Sequence, residues 1–289
     1  MTLSLLLQQL VNAVELGSIY AMIAVGLALV YGVLRILHVA QAGLYSAGAF
    51  IGLFFYHGTG SFPVALIGAM AVAGILGVLI ERFIYRPMLA RPRIVALIAS
   101  VGLLICFSDI FRIVAGPNQL PFELPGLRGS YELGTLVISR VDAAILAGTA
   151  GIFALLWFLL QKTRLGFEMR AAAQDLETAA VMGIDVARSV GWIFFISSAI
   201  AAFGGVMVGV LYNAVYPDMG DVIAYKGLAL IVIGGFGSLL GTVLASFLLA
   251  ITETILTTYT AVPLSREGVA MLFLVLLILI RPQGLLGRA

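Results

Sequence analysis

The chain has 289 residues, of which 62% are hydrophobic and only 10% charged, with a net charge of +2. Ordinary soluble domains are about 25% charged, so this composition excludes a soluble globular protein, and the small net charge gives no support to a nucleic-acid partner. The apolar runs lack the strict alternation of a membrane β-barrel, which leaves an all-α polytopic membrane protein, a single transmembrane domain over residues 1–289, whose helices satisfy their own backbone in lipid.

A span needs about 20 apolar residues. The first is expected over 10–34. It carries Asn12 and Glu15, which are costly in lipid and therefore should face other helices. No basic segment precedes it, which argues against a cleaved signal peptide. The second, 40–56, is short and rich in small residues from Ala42 to Gly52, a composition that permits close helix approach. The third covers 63–85 and the fourth 94–115, separated by a run with Arg82, Arg86, Arg91 and Arg93. Asp109 and Arg112 are three apart near the end of the fourth span and are placed to pair.

Residues 116–142 hold Pro117, Pro121 and Pro125, show no helical period, and read as an ordered external loop. The fifth span is expected over 143–160. Residues 162–188 follow as the longest run with the character of a water-soluble helix. Ala171, Ala172, Ala173, Ala179 and Ala180 are strong helix formers. Met169, Ala172, Ala173, Leu176, Ala180 and Gly183 recur at three- and four-residue spacing and make one narrow smooth face. Gly183 is placed to end the helix and Asp185 to cap the next one. The sixth span is expected over 190–215, and 216–226 reads as a short polar turn. The apolar stretch 222–258 is too long for one span and is interrupted by GGFGS at 234–238, so it reads as two arms around a break. The last span is 269–280. The total is about eight transmembrane segments, one or two of them broken or re-entrant.

Basic residues in short loops mark the cytoplasmic side. The loops holding Arg82–Arg93 and Lys162–Arg188 lie two spans apart, which puts both inside, the N-terminus outside and the C-terminus cytoplasmic, in agreement with Arg281 and Arg288.

A P-loop requires G-x-x-x-x-G-K-[ST], and neither Lys162 nor Lys226 follows such a pattern. There is no clustered set of metal ligands or catalytic nucleophile. Cys106 reads as a small core residue and His38, beside Gln41, as a hydrogen-bonded structural histidine. Glu15, Glu81, Asp109 and Glu253 are either structural partners of Arg and hydroxyl groups or a proton relay of the kind secondary transporters use. The chain reads as a translocation path with no energy source of its own, and its polar loop reads as a docking element. A last feature is internal: GLALVYG at 26–32 and GLALIVIGG at 227–235 are nearly the same string. Each is followed by a short Gly- and Ala-rich helix, a pattern that points to a transport path. On that reading Gln41, Ser46, Gly234, Gly235, Gly237 and Ser238 approach one central cavity.

The run TRLGFEMRAAAQDLETAAVMGID resembles the cytoplasmic coupling loop of branched-chain amino acid ABC transporter permeases of the LivH type. GSIYAMIAVGLALVYGVLRILHVAQAGLYSAGAF, GGFGSLLGTVLAS and RPQGLLG are similar to the same family, over nearly the whole chain. The resemblance implies a permease subunit in a bacterial inner membrane, importing small aliphatic amino acids. A periplasmic binding protein, a second permease and two ATP-binding subunits would be its partners. ATP would be used by those subunits, and no cofactor would be bound by this chain. It also implies that Arg164, Gly166, Arg170, Ala172, Gln174, Asp175, Gly183 and Asp185 form the ATPase-coupling loop. Urea and short-chain amide permeases share these motifs, and an ion-coupled secondary transporter remains the alternative from a different class.

Overall fold

The computed structural model describes residues 3–89, 91–127, 129–133, 136–259, 265–281 and 283–286. Its helices are α1 (Leu3–Leu34), α2 (Gln41–Thr59), α3 (Phe62–Ile80), α4 (Arg86–Met88), α5 (Arg93–Ala115), α6 (Arg140–Lys162), α7 (Arg164–Gln174), α8 (Leu176–Val181), α9 (Val186–Leu211), α10 (Asp221–Gly234), α11 (Leu239–Tyr259) and α12 (Arg266–Ile280). A π-helical turn, Glu81–Tyr85, joins α3 to α4, so this stretch runs on to Met88 as one rod. Among the described residues six helical segments are long and apolar enough to cross a bilayer: 5–34, 62–88, 93–115, 140–162, 186–211 and 239–258. The shorter α2, α10 and α12 complete the set of membrane segments read from the sequence. The GGFGS break falls where expected, between α10 and α11. With 14 residues, α10 is about 21 Å long, too short to cross the ~30 Å hydrocarbon layer.

The centre of the bundle is α1 and α9, whose apolar residues are buried over most of their length. Around them α11 packs on α1, while α2 and α3 pack on α9. Small residues allow this. Built on Gly48, a Cβ would clash with the Ala202 backbone, and on Gly205 it would clash with the Tyr45 carbonyl. The small-residue composition of α2 is thus spent on its contact with α9. In contrast α5 and α6 bury few residues, and α5 shows Ile98, Ile105, Ile113 and Val114 on the outside. Cys106, expected in the core, is exposed with them. A helix at the edge of a membrane bundle is apolar on its outer face too, so hydrophobicity there does not signal burial.

Two helices begin inside the bundle rather than at its ends. α2 starts where Gln41 meets Gly26 and Ser197, both well within α1 and α9. α10 starts where Gly220 abuts the Ala42 carbonyl and Ser46. The first turns of α2 and α10 therefore meet in the interior, and from there α2 runs toward one end of the bundle and α10 toward the other.

The 116–142 segment contains a hairpin. β1 (Ser130–Leu133) pairs antiparallel with β2 (Leu136–Ser139), with Ser130 opposite Ser139. The Gln8 side chain exchanges hydrogen bonds of 2.9 and 3.0 Å with the Val137 backbone, tying β2 to the start of α1. Ser139 and Asp142 form a capping box that starts α6. Leu120 pairs with Val215, and Phe122 is fully buried beneath this bridge. Asp109 and Arg112 do pair, at 3.2 Å, and Arg112 also binds Asp218 at 2.6 Å. This end of the bundle is called the hairpin end, and the opposite one, holding α7 and α8, the loop end. Arg288 lies outside the described residues.

Candidate functional site

The loop-end module is built from two helices, where the sequence suggested one. The hydrophobic period continues through residue 175, but Asp175 takes an extended conformation and caps α8, accepting from the Glu177 and Thr178 amides. The Thr178 hydroxyl also donates to it, at 2.8 Å. These donors, the Thr178 hydroxyl first, hold the Asp175 carboxyl below its ordinary pKa. A depressed carboxylate supports its cap above the ordinary carboxylate range and releases it as pH falls through the lowered value. Gly183 ends α8 with φ +86°, and Asp185 caps α9 by accepting from the Arg188 amide, both as expected.

The expected smooth face is split: Met169 and Ala172 are buried and Ala173 and Leu176 half-buried, whereas Ala180 and Gly183 are exposed. Gly166, Met169, Ala172 and Ala179 are buried, and α7 packs on α6, α9 and α1. At Gly166 any side chain would collide with the Leu159 and Leu160 backbone, so glycine is what lets α7 fold back against the end of α6. Arg170 donates to Gln161 on α6. Arg164, Gln174, Asp175, Gly183 and Asp185 are exposed. Beside them stand two apolar side chains that the sequence reading did not select, Val181 at 86% exposed and Met182 at 78%. The signal that could have found them is their place against the turn at Gly183, off the smooth face, in a segment with no other outward apolar pair.

The six interior candidates fall in two separate places. Gln41 is buried, donating to the Ser197 carbonyl at 2.8 Å and accepting from the Ser197 hydroxyl at 3.1 Å, and that hydroxyl also donates to the Gly26 carbonyl. Ser46 donates to the Ala42 carbonyl beside Gly220. Gly234, Gly235, Gly237 and Ser238 are at the loop end, next to Gly32 and the 284–286 segment, where the Leu285 and Leu286 amides donate to the Ile233 and Gly234 carbonyls. The two similar strings do touch: Gly227 packs on Leu27, so the repeated segments lie side by side. His38 shares a 2.7 Å hydrogen bond with the Tyr85 hydroxyl through Nδ1 and is buried. Glu81 binds Arg86 through two 3.0 Å hydrogen bonds.

The polar centre of the bundle is a group the sequence reading split between a turn and a span. Lys226, expected at the end of a short polar turn, is in the second turn of α10 and buried. Its Nζ donates to both Glu253 oxygens, at 3.0 and 3.2 Å, and to the Tyr20 hydroxyl, which donates to Glu253 Oε2 at 2.8 Å. Next to this closed triad lies a cavity of about 430 Å³ bordered by Tyr20, Tyr45, Tyr212, Tyr216, Lys226 and Arg266.

The family model described as "Branched-chain amino acid transport system / permease component" matches residues 9–281. The chain belongs to this family. Among similar permeases is the "High-affinity branched-chain amino acid transport system permease protein LivH" of Escherichia coli (strain K12). It is 31% identical, over 98% of this chain and 96% of its own length. The corresponding permease BraD of Pseudomonas aeruginosa is also 31% identical over 98% of this chain and 96% of its own. In fold, the permease is similar to a chain of the solved structure "PsaBC from Streptococcus pneumoniae in complex with Fab". The TM-score is 0.53 at 16% identity, covering 94% of this chain and 91% of that one. The permease is thus an all-α transport component with two features its composition alone does not fix: a tethered double helix at one end, and a buried charge triad two of whose members, Tyr20 and Lys226, border a cavity.

Proposed function

We propose that the chain is the membrane-spanning permease subunit of an ATP-binding-cassette importer that moves small aliphatic amino acids across a bacterial inner membrane. The observation that carries this reading is the loop-end module. Two short helices are held against the bundle by buried Gly166, Met169, Ala172 and Ala179, and they present Val181 and Met182 outward beyond the membrane spans. Exposed apolar side chains on a rigid support suit a partner surface. Separate ATPase subunits dock there, one on each of two permeases, and use the ATP; this chain binds none. A periplasmic binding protein delivers substrate at the hairpin end. The names of the similar permeases support the branched-chain amino acid as substrate. Ala172, being buried, serves the seating of the module, and the docking contacts pass to Val181, Met182 and the exposed polar residues around them.

The test is uptake of labelled leucine by vesicles holding the assembled complex. Uptake requires ATP in the ATPase compartment, and Val181→Asp combined with Met182→Asp reduces it at least about tenfold, as loss of a central apolar anchor does, while membrane abundance stays the same. Uptake at wild-type rates in the double variant makes the module a mere connector. Uptake that follows an ion gradient without ATP makes the chain a secondary transporter, and uptake of urea alone removes the amino acid.

The loop end is the cytoplasmic side on this reading, with the N-terminus outside. Phe122 is buried and a poor reporter, whereas Asn118 and Gln174 are exposed. After replacement of the exposed Cys106, an impermeant thiol reagent outside intact cells labels a cysteine at 118 and spares one at 174. Labelling of 174 alone inverts the orientation.

A further inference from the structure

We propose that the pocket between the loop-end turns of the α3 rod and α9 binds the phosphate of an anionic phospholipid, with Arg82 and Arg188 as its ligands. The site is independent of what the permease carries.

The two helices run antiparallel and close. Gly74 takes the Phe195 ring, and Gly77 abuts the Phe194 carbonyl and Ser198. At the loop end Arg86 reaches across to the Ala187 carbonyl, at 3.3 Å. A cavity of about 410 Å³ lies between the helices there, and its lining is ordered along the helix axes. Toward the loop end it has Arg82, Arg86 and Arg188, and deeper in the span it has Val78, Trp192 and Phe195. Outside it on α3, Ile75 and Leu79 continue the apolar surface. Cations at the end of a span above an interfacial tryptophan are what a lipid headgroup and its chains require. A soluble anion would use only the charged half, and a soluble partner's acidic segment does not reach side chains inside the span.

The charges select the headgroup. Glu81 is taken up by Arg86, and Asp185 accepts from the Arg188 amide as the cap of α9. Arg82 and Arg188 are exposed, and among the described residues neither guanidinium has a partner. Three arginines and two carboxylates border the pocket, a net charge of +1, which complements a single phosphodiester. A guanidinium fork suits phosphate geometry, and a headgroup carrying its own cation would set that cation against the arginines. Phosphatidylglycerol therefore fits better than phosphatidylcholine. Gly191 keeps the space. It borders the pocket, and nothing lies within 4 Å of a Cβ built on it. Glycine is a poor helix former, and at this position, unlike Gly74 and Gly77, no helix contact demands it.

Trp192 is the reporter. The chain has two tryptophans, so the full-length permease with Trp157→Phe is placed in phosphatidylcholine nanodiscs, and chain-brominated lipid is added in steps. Brominated phosphatidylglycerol quenches Trp192 saturably, at a mole fraction at least about fivefold below that needed with brominated phosphatidylcholine. Arg82→Gln and Arg188→Gln each weaken this about fivefold, the scale of one basic residue at an anionic lipid surface. Gly191→Leu fills the pocket, leaves both arginines in place and removes the preference. Equal quenching by the two lipids overturns the site. A preference that survives Gly191→Leu reduces it to a diffuse basic surface. Displacement by millimolar inorganic phosphate makes the ligand a soluble anion, and loss of quenching when ATPase subunits are added makes the pocket part of their contact; either result overturns the lipid.

Discussion

Replacing Lys226 with methionine lowers the stability of the permease by about 3–5 kcal/mol, the usual cost of removing one partner of a buried ion pair. The effect comes from what is left behind. Glu253 is fully buried on α11 and its two oxygens accept from Lys226 and Tyr20. Without the ammonium, a single hydroxyl remains to stabilise the carboxylate in a medium where an unpaired charge is most costly. Methionine matches the lysine stem in length, so packing changes little and the loss reads out the charge. The double variant Lys226→Met with Glu253→Met recovers most of the stability, because exchanging a whole buried pair for apolar groups is often neutral or favourable. Thermal unfolding of the purified permease in one detergent checks this. A Lys226→Met variant that melts with wild type shows that Glu253 is already satisfied without its ammonium. The pair holds α10 against α11 and, through Tyr20, against α1, so its removal also loosens the helix that starts in mid-bundle.

The spans were legible because length and composition decide them. Each of the long helices matches an apolar run, and the break at 234–238 shows as glycine interrupting a stretch too long for one crossing. The caps at Gly183 and Asp185 were legible for a local reason: a left-handed glycine and an Asp before a helix act through their own neighbours. What failed were features set by distant partners. Lys226 was read as part of a turn because a lone lysine is normally solvated, and its carboxylate lies 27 residues further on, on the next arm. Two opposite lone charges, one in each arm of a broken apolar stretch, were the available signal. At residue 175 the period of a single helix ran on, and the side chain of Asp175 competed with it for backbone amides and won. The smooth face of the loop is buried against the protein at Met169 and Ala172 and exposed at Ala180 and Gly183, and a face that seats a helix looks in sequence like one open to a partner. The interior candidates lie in two places for a related reason: matching strings identify similar helices, and here those helices pack on each other at Gly227 and Leu27.

Alanine at Gly205 destabilises the bundle by at least about 1–3 kcal/mol, the cost of forcing extra volume into a close-packed interface. A Cβ there falls under 3.0 Å from the carbonyl carbon and oxygen of Tyr45, and it also crowds the Ala49 amide. These are backbone atoms of a helix, so no rotamer change relieves the clash and α2 itself has to move away from α9. The interface is small on both sides: Gly48 and Gly52 on α2 are four residues apart, as are Gly205 and Gly209 on α9. Without a hydrophobic drive between helices in lipid, such close packing is a main source of their association, and a shift of α2 therefore loses contacts along its whole length. Gly48→Ala, against the Ala202 backbone, has an effect of the same size. Gly102→Ala is the control. Nothing lies within 4 Å of a Cβ at that position on α5, and alanine in an open helical site gains up to about 1 kcal/mol over glycine. Melting of the three variants beside wild type, in the same detergent, separates packing from helix propensity. Gly205→Ala and Gly48→Ala melting together with Gly102→Ala would mean that α2 and α9 are not held at the spacing their glycines permit.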